Sequence, residues 1–170
     1  MGQGFFQRSK VVLEIEKPQF VKKSFDQIEG HQLRAGVKNK GREVCLNLCA
    51  KFEIQDSEGK APELLNVQVD VTDGNKVVNA TAEPMRAIKY AWVDKDERVL
   101  KVLKELKKDD AFSLLFPYET FFAGVGSSTS SSEYLLKLQV NKDYEVEIEV
   151  KGEDSDKNAI MKRKKFQMRI

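Results

Sequence analysis

The sequence predicts an all-β protein, an antiparallel β-sandwich with at most one short helix. Apolar and polar residues alternate in segment after segment, most clearly over residues 144–150, where four apolar or aromatic residues alternate with three glutamates. A period of two places one set of side chains against a core and the other in water. Polar turns separate these segments, whereas a parallel α/β sheet would need a helix after nearly every strand. We therefore expect about eight to ten short strands in two layers.

Length and composition fit one domain. A chain of 170 residues buries roughly 70% of its unfolded surface and needs no metal or disulfide to fold. Lys+Arg 29 against Asp+Glu 27 leaves a net charge of +2, a balance that argues against a dedicated nucleic-acid binder. We expect residues 1–9 to be a flexible leader and 10–170 a single domain. Because no apolar run could span a membrane and no secretion signal is recognisable, we expect a soluble, cytoplasmic protein without membrane insertion.

The N-terminal half contains the clearest strand patterns. The predicted strands are 10–16, 19–22, 32–38, 44–54 and 65–71, with a short return strand at 77–78. Residues 27–30 are predicted to turn the chain, and Asn39-Lys40-Gly41 is predicted as a turn because these residues tolerate positive φ.

The two cysteines, Cys45 and Cys49, lie four residues apart in the predicted strand 44–54. The even positions of this strand are predicted to form its apolar face, so both cysteines would lie together on the other face. At about 3.3 Å per residue their Cα atoms would be roughly 13 Å apart, beyond disulfide reach. No histidine or second cysteine pair completes a metal site, so we expect buried free thiols.

The C-terminal half is predicted to be strands with two irregular stretches. The predicted strands are 88–93, 111–116, 134–140, 144–150 and 164–170, with 134–140 and 144–150 paired across residues 141–143. Residues 79–89 are expected to be irregular. Residues 94–106 have both helical and alternating spacing, and a short helix and a strand both remain open. The serine-rich segment 123–133 is predicted to be a mobile loop, because it cannot bury enough apolar surface to order itself.

Residues 33–52 resemble a recurrent pattern of immunoglobulin-like accessory modules. A short strand leads into Val-x-Asn-x-Gly, here Val37 to Gly41, and after a small residue an asparagine and an alternating strand follow. This pattern is similar to the cell-adhesion-related, CARDB-like domains of bacteria and archaea. The segment 93–106 and the serine-rich segment depart from it. The resemblance implies an immunoglobulin-like fold with a binding or scaffolding role, and it implies no catalytic residues.

The best candidates for a partner-binding site are the aromatic residues Phe116, Tyr118, Phe121 and Phe122. They lie in a segment flanked by proline and glycine, and loops at the end of a sandwich commonly bind partners. Aromatic side chains are also enriched in the cores of interfaces. The alternative is that these rings cover an open end of the core.

A basic run, Lys162, Arg163, Lys164 and Lys165, leads into the last predicted strand. On a strand, two of the four cations face each way. Solvation and protection of a sheet edge is the expected role. Contact with an acidic partner or a phosphate is the alternative.

No catalytic or cofactor motif accompanies these patterns. His31 is the only histidine and is predicted to be an exposed turn residue, and no Gly-x-Ser-x-Gly elbow is present. Residues 153–156 offer acidic oxygen ligands, without a complete calcium loop. We therefore predict a non-enzymatic module for protein–protein interaction or scaffolding, without cofactor or metal and with another protein as its partner. The alternatives are a carbohydrate- or calcium-binding module, a weak nucleic-acid contact through the basic run and, more distantly, a hydrolase using Asp94 or Asp110.

Overall fold

Two antiparallel sheets pack face to face in the computed structural model, which describes residues 10–85, 103–117 and 120–170. Every secondary-structure element of this part of the chain is a β-strand, so the predicted all-β sandwich is confirmed. The strands are β1 (Leu13–Ile15), β2 (Gln19–Phe25), β3 (Ile28–Asn39), β4 (Cys45–Asp56), β5 (Glu63–Thr72), β6 (Asn75–Pro84), β7 (Leu103–Leu106), β8 (Ala111–Phe116), β9 (Thr120–Val125), β10 (Ser128–Lys137), β11 (Asp143–Glu153) and β12 (Ala159–Arg169).

The two sheets differ in size. The larger has the order β1-β3-β10-β5-β6, with β2 and β8 also pairing with β3 and β9 with β10. The smaller has the order β12-β11-β4-β7. The chain therefore passes from one sheet to the other between β3 and β4, β4 and β5, β6 and β7, β7 and β8, and β10 and β11.

The core lies between the sheets and follows the predicted alternation. In β11, Tyr144, Val146, Ile148 and Val150 are buried, while the glutamates between them face outward. From the larger sheet, β3 contributes Leu33, Ala35 and Val37, and β8 contributes Leu114 and Phe116. Phe52 of β4 stacks on Phe116, with ring centroids 5.0 Å apart and an interplanar angle of 21°.

A β-bulge corrects the predicted faces of β4. Asn47 has φ 56, and the register with β11 shifts between Lys151 and Glu153. One extra residue reverses inward and outward positions on one side of the bulge. Cys45 is therefore buried in the core while Cys49 lies half-buried on the other face, and both thiols are free. The prediction that both cysteines share a face is wrong, and so is the inward placement of Val44 and Leu46.

The connection from β3 to β4 does not use positive φ. Asn39, Lys40 and Gly41 all have ordinary backbone angles, so that reason for their presence is wrong. Asn39 is fully buried; its Nδ2 donates to the carbonyls of Glu43 (2.8 Å) and Leu106 (2.9 Å), and its Oδ1 accepts the N–H of Gly41 (2.9 Å). A Cβ on Gly41 would lie 2.6 Å from the carbonyl oxygen of Lys10. The buried hydrogen bonds therefore explain the asparagine at position 39, and the lack of space for a side chain explains the glycine at position 41.

The serine-rich segment is not a loop. Residues 120–125 and 128–137 form β9 and β10, which pair with each other, and β10 also pairs with β5 over its whole length. Side chains bridge the strands, with Ser130 Oγ 2.7 Å from Asp70 and Ser132 Oγ 2.6 Å from Asn66. Main-chain pairing on both edges orders the serine-rich residues 128–132 of β10, although their side chains bury little.

Other boundaries also differ from the prediction. The strand β10 pairs with β5, β9 and β3 rather than with β11, so the predicted hairpin of 134–140 with 144–150 is wrong. The strand β6 continues to Pro84, where an irregular stretch was expected, and β3 begins at Ile28 within the predicted turn. Residues 103–106 form strand β7, paired with β4. The leader 1–9, the predicted strand 88–93 and residues 94–102 lie outside the described residues.

Candidate functional site

The structure separates the predicted aromatic site. Phe116 is fully buried against Phe52, so it belongs to the core and not to an exposed tip. Tyr118 lies outside the described residues. Phe121 belongs to β9, but its side chain is not described. Phe122 of β9 is 75% exposed. Of the two candidates whose side chains the structure describes, Phe122 is thus the one exposed to solvent.

Four strands in the order β9-β10-β5-β6, here called the arm, carry Phe122. Their pairing brings two tight turns to the same end, Asp73-Gly74 and Gly126-Ser127. Asp73 (φ 50), Gly74 (φ 83) and Gly126 (φ 60) have the left-handed angles that two-residue hairpin turns require. The Gly-Ser pair that directly follows the apolar residues 121–125 is the sequence signal for the hairpin of β9 and β10.

One half of the arm belongs to the sandwich. Leu64 and Leu136 point into the main core. On the opposite face Val67 and Leu135 are buried outside that core. There the β2–β3 hairpin crosses the arm, and Gly30 of this hairpin lies so close to Leu135 that a Cβ would be 2.6 Å from the Cβ of Leu135.

Two ion pairs hold this hairpin on the arm. Lys23 pairs with Glu133 of β10, and Asp26 at the tip of the hairpin lies 3.5 Å from Lys76 of β6. The hairpin therefore covers one face of the arm as far as β6, whereas residues 122–125 of β9 are exposed.

The half of the arm near the two tight turns exposes apolar side chains on its outer strands. Phe122 and Val125 of β9 are 75% and 84% exposed, and Val77 of β6 is 53% exposed. Three of the five large apolar residues that are exposed in the described part of the chain therefore lie on these two strands.

The outer strands of the arm also have long uncharged stretches. Residues 120–132 and 77–82 contain no Asp, Glu, Lys or Arg. Within the described ranges, β9 pairs only with β10 and β6 only with β5. Such edges present N–H and C=O groups that can pair with another strand, and proteins usually protect them with charges, proline or bulges.

The basic run lies on β12, an outer strand of the smaller sheet, and shows the protection that residues 120–125 of β9 lack. As predicted, two cations face each way: Lys162 and Lys164 lie opposite the inward-facing Val150 and Ile148. Inward-pointing charges on an outer strand oppose the addition of further strands. The ammonium of Lys164 lies 5.3 Å from the ring centroid of Phe166.

The other two cations of the run are paired on the outer face. Arg163 contacts Glu149 (2.7 Å) and Glu147 (3.3 Å), and Lys165 contacts Glu147 (3.7 Å). The pKa of Glu149 is lowered by its hydrogen bond from Arg163. These contacts reduce the positive charge that the run can offer to a phosphate.

Two connections use the same five-residue turn. In 56–60 and 154–158, Oδ1 of the first aspartate accepts the N–H groups two and four residues later, all at 2.9 Å. Oδ2 of Asp154 accepts from Asn158 Nδ2 (3.2 Å), and Asp156 pairs with Lys10. The oxygens considered for calcium therefore already accept hydrogen bonds or pair with a cation.

A cleft of about 570 Å³ adjoins the first of these turns, at one end of the sandwich. Its charged residues are paired in part: Lys142 lies 3.0 Å from Asp56, and Lys137 lies 3.9 Å from Glu63. Asp56 thus links the connection from β4 to β5 with the connection from β10 to β11.

We expect the free energy of unfolding to fall in acid as Asp56 and Asp154 are titrated. Hydrogen bonds from backbone N–H groups, with Lys142 adding at Asp56, lower the pKa of both carboxyls below the ordinary 3.8. A carboxyl whose pKa is lower in the folded state stabilises that state fully above the unfolded pKa, and the contribution is lost as pH falls through the folded pKa.

Urea unfolding between about pH 5 and about pH 2 checks this linkage. The double variant Asp56→Asn/Asp154→Asn keeps both Oδ1 acceptors, and its stability should depend less on pH than that of the wild type. The control Glu58→Gln, which removes an exposed carboxylate from the first turn, should keep the wild-type slope. Equal slopes for the wild type and the double variant would contradict the role of these aspartates.

The remaining candidate groups are dispersed. The prediction that His31 is an exposed turn residue is wrong: His31 lies half-buried in β3, and burial lowers the pKa of its side chain. Among the described residues no group of three or more His, Cys, Asp or Glu side chains could hold a metal ion. None of the described segments forms a helix of the length and apolarity needed to cross a membrane.

Comparisons with known proteins add no family. No protein-family model matches the chain, and no curated protein matches it. The crystal structure of an ApaA protein from Bordetella pertussis is similar in backbone, with a TM-score of 0.47, 8% identity and 94% of each chain covered. An X-ray structure of a structural-genomics target has a TM-score of 0.40 and 10% identity, covering 95% of this chain and 87% of that chain. Similarity at this level says nothing about what the chain binds.

Proposed function

We propose that this chain is a non-enzymatic protein-interaction module that binds an extended segment of a partner protein along the outer edge of β9. The observation that carries the proposal is the exposure of Phe122 (75%) and Val125 (84%) on an uncharged outer strand. In strand addition, main-chain hydrogen bonds supply affinity, and side chains on alternate positions supply specificity.

The dimensions of β9 suit such a partner. Its six residues span about 20 Å at a rise of about 3.3 Å per residue. Phe122 and Val125 are three positions apart and so lie on opposite faces, where a bound strand would meet an apolar side chain on each side. Because residues 120–132 carry no charge, an uncharged, apolar-rich segment fits this edge best.

The resemblance to CARDB-like, immunoglobulin-like modules implies the same class of role, and that assignment and a cytoplasmic location both remain predictions from the sequence. The alternatives have less support from the described residues. Arg163 and Lys165 are paired with glutamates, and the oxygens of Asp154 accept hydrogen bonds from its own turn.

A display library of random decapeptides tests the proposal. We expect the wild type to select uncharged, apolar-rich peptides, and the double variant Phe122→Lys/Val125→Lys to bind them about tenfold more weakly or worse, a loss of about 1.4 kcal/mol or more. The matched control is Val140→Lys, because Val140 is 74% exposed but lies outside the arm, between β10 and β11. This control should bind like the wild type.

N-methylation of a selected peptide distinguishes strand addition from simple apolar contact. Only every second amide of an added strand points toward β9. Methylating those amides should abolish binding, and methylating the intervening amides should leave it intact. If methylation of either set of amides had the same effect on binding, strand addition at β9 would be refuted. Equal peptide binding by Phe122→Lys/Val125→Lys and by Val140→Lys would refute it as well.

A further inference from the structure

We propose that the arm also joins copies of this chain head to tail, with β9 of one copy pairing antiparallel with β6 of the next. This inference rests on the proposed function, because it names a second copy as one partner of the same edge. Three observations carry it: the direction of the strands, the side chains that the pairing brings together, and the charges on the two edges.

The strand directions allow the sheet to continue. Each neighbouring pair in the order β9-β10-β5-β6 is antiparallel, so β9 and β6, separated by two strands, run in opposite directions. A second arm placed beside the first without inversion therefore sets its β6 antiparallel to β9. The main-chain ladder continues with the same faces up, as a regular antiparallel sheet requires.

The register within the arm shows which side chains would meet. Residues 125 to 120 of β9 lie on the same rows of the arm as residues 75 to 80 of β6. If the next copy keeps these rows, Phe122 lies beside Val78 on one face, and Ala123 lies beside Val77 on the other face. Cross-strand pairs of an aromatic with a β-branched residue are among those that stabilise sheets.

The charges do not oppose this pairing. Residues 77–82 and 120–125 carry none. Lys76 falls beside Gly124 of the neighbouring copy and is held by Asp26 of its own chain, 3.5 Å away. A two-fold pair of β9 strands would leave the exposed Val77 uncovered, whereas head-to-tail pairing covers apolar residues of both outer strands.

Head-to-tail contacts use two different surfaces, so the copy at each end of an assembly keeps one free edge. Further copies can add to these free edges. Two blocked variants test this. Phe122→Lys/Val125→Lys blocks β9, and Val77→Lys/Asn79→Lys blocks β6 at two exposed positions. Sedimentation velocity at increasing concentration measures the assemblies, circular dichroism checks folding, and Val140→Lys is the control.

We expect the wild type and Val140→Lys to form species larger than dimers, which grow with concentration. Each blocked variant alone should remain a monomer. An equimolar mixture should form dimers and stop there, because one variant supplies an intact β6 and the other an intact β9.

Three results would overturn the inference: a wild type that remains monomeric, a mixture that remains monomeric, or a single blocked variant that dimerises by itself through its intact edge. None of these three results would by itself confirm or reject the proposed function. Peptide selection that depends on Phe122 would still support strand addition at β9. If neither self-assembly nor this peptide selection were observed, both proposals would be rejected.

Discussion

Replacing Phe116 with alanine is expected to lower the free energy of unfolding by about 3–5 kcal/mol. The ring is fully buried and stacks on Phe52 at 5.0 Å. Its removal leaves a cavity between the two sheets, because β4 and β8 belong to different layers and neither can collapse onto the other without disturbing its own ladder. Urea or guanidinium denaturation measures the change.

Phe122→Ala is the matched control for Phe116, since both positions belonged to one predicted aromatic site. Phe122 is 75% exposed, so its truncation should change stability by no more than about 0.5 kcal/mol, while it weakens peptide binding. Phe116→Leu should lose less stability than Phe116→Ala because it leaves a smaller cavity. Wild-type stability for Phe116→Ala would contradict the stacked core.

Replacing Asn39 with alanine is expected to lower the free energy of unfolding by about 3 kcal/mol or more, because each polar group left buried and unpaired costs about 1–3 kcal/mol. The change removes the hydrogen bonds that the Asn39 side chain makes to the carbonyls of Glu43 and Leu106 and to the N–H of Gly41. These groups belong to the connection from β3 to β4 and to β7, which meet where the chain crosses from one sheet to the other. Chemical denaturation again provides the measurement.

Two further variants separate hydrogen bonding from side-chain size at this crossing. Asn39→Asp keeps the acceptor for Gly41 but loses both donors, so we expect it to remain strongly destabilised. Asn79→Ala, at an exposed position of β6, should be nearly neutral. If Asn39→Ala and Asn79→Ala had equal effects, the buried hydrogen bonds would not be the reason for Asn39.

The serine-rich segment shows why composition misled the prediction of a loop. The side chains of Ser130 and Ser132 bury little apolar surface, so the neighbouring sequence gives no reason to expect an ordered strand. Their strand is ordered by main-chain pairing with β5 and by hydrogen bonds to Asp70 and Asn66. These partners lie 60 and 66 residues earlier in the chain, and no window of local sequence contains that information.

The bulge at Asn47 shows the limit of a simple alternating pattern. The even positions of β4 are buried as predicted from Leu48 to Ile54. Before the bulge the faces reverse, and Cys45 enters the core. A residue with φ 56 is a local feature, but asparagine adopts such an angle only where its surroundings favour it.

The sequence alone determined the class of the fold and the inward face of most strands. A period of two is a local property, and burying one face of each strand is the dominant source of stability. Only the tertiary structure decided which strands pair, that Phe116 is buried while Phe122 is exposed, and that β6 and β9 form the outer edges of one arm. These features depend on contacts between residues far apart in the chain, and many pairings satisfy the same alternation equally well.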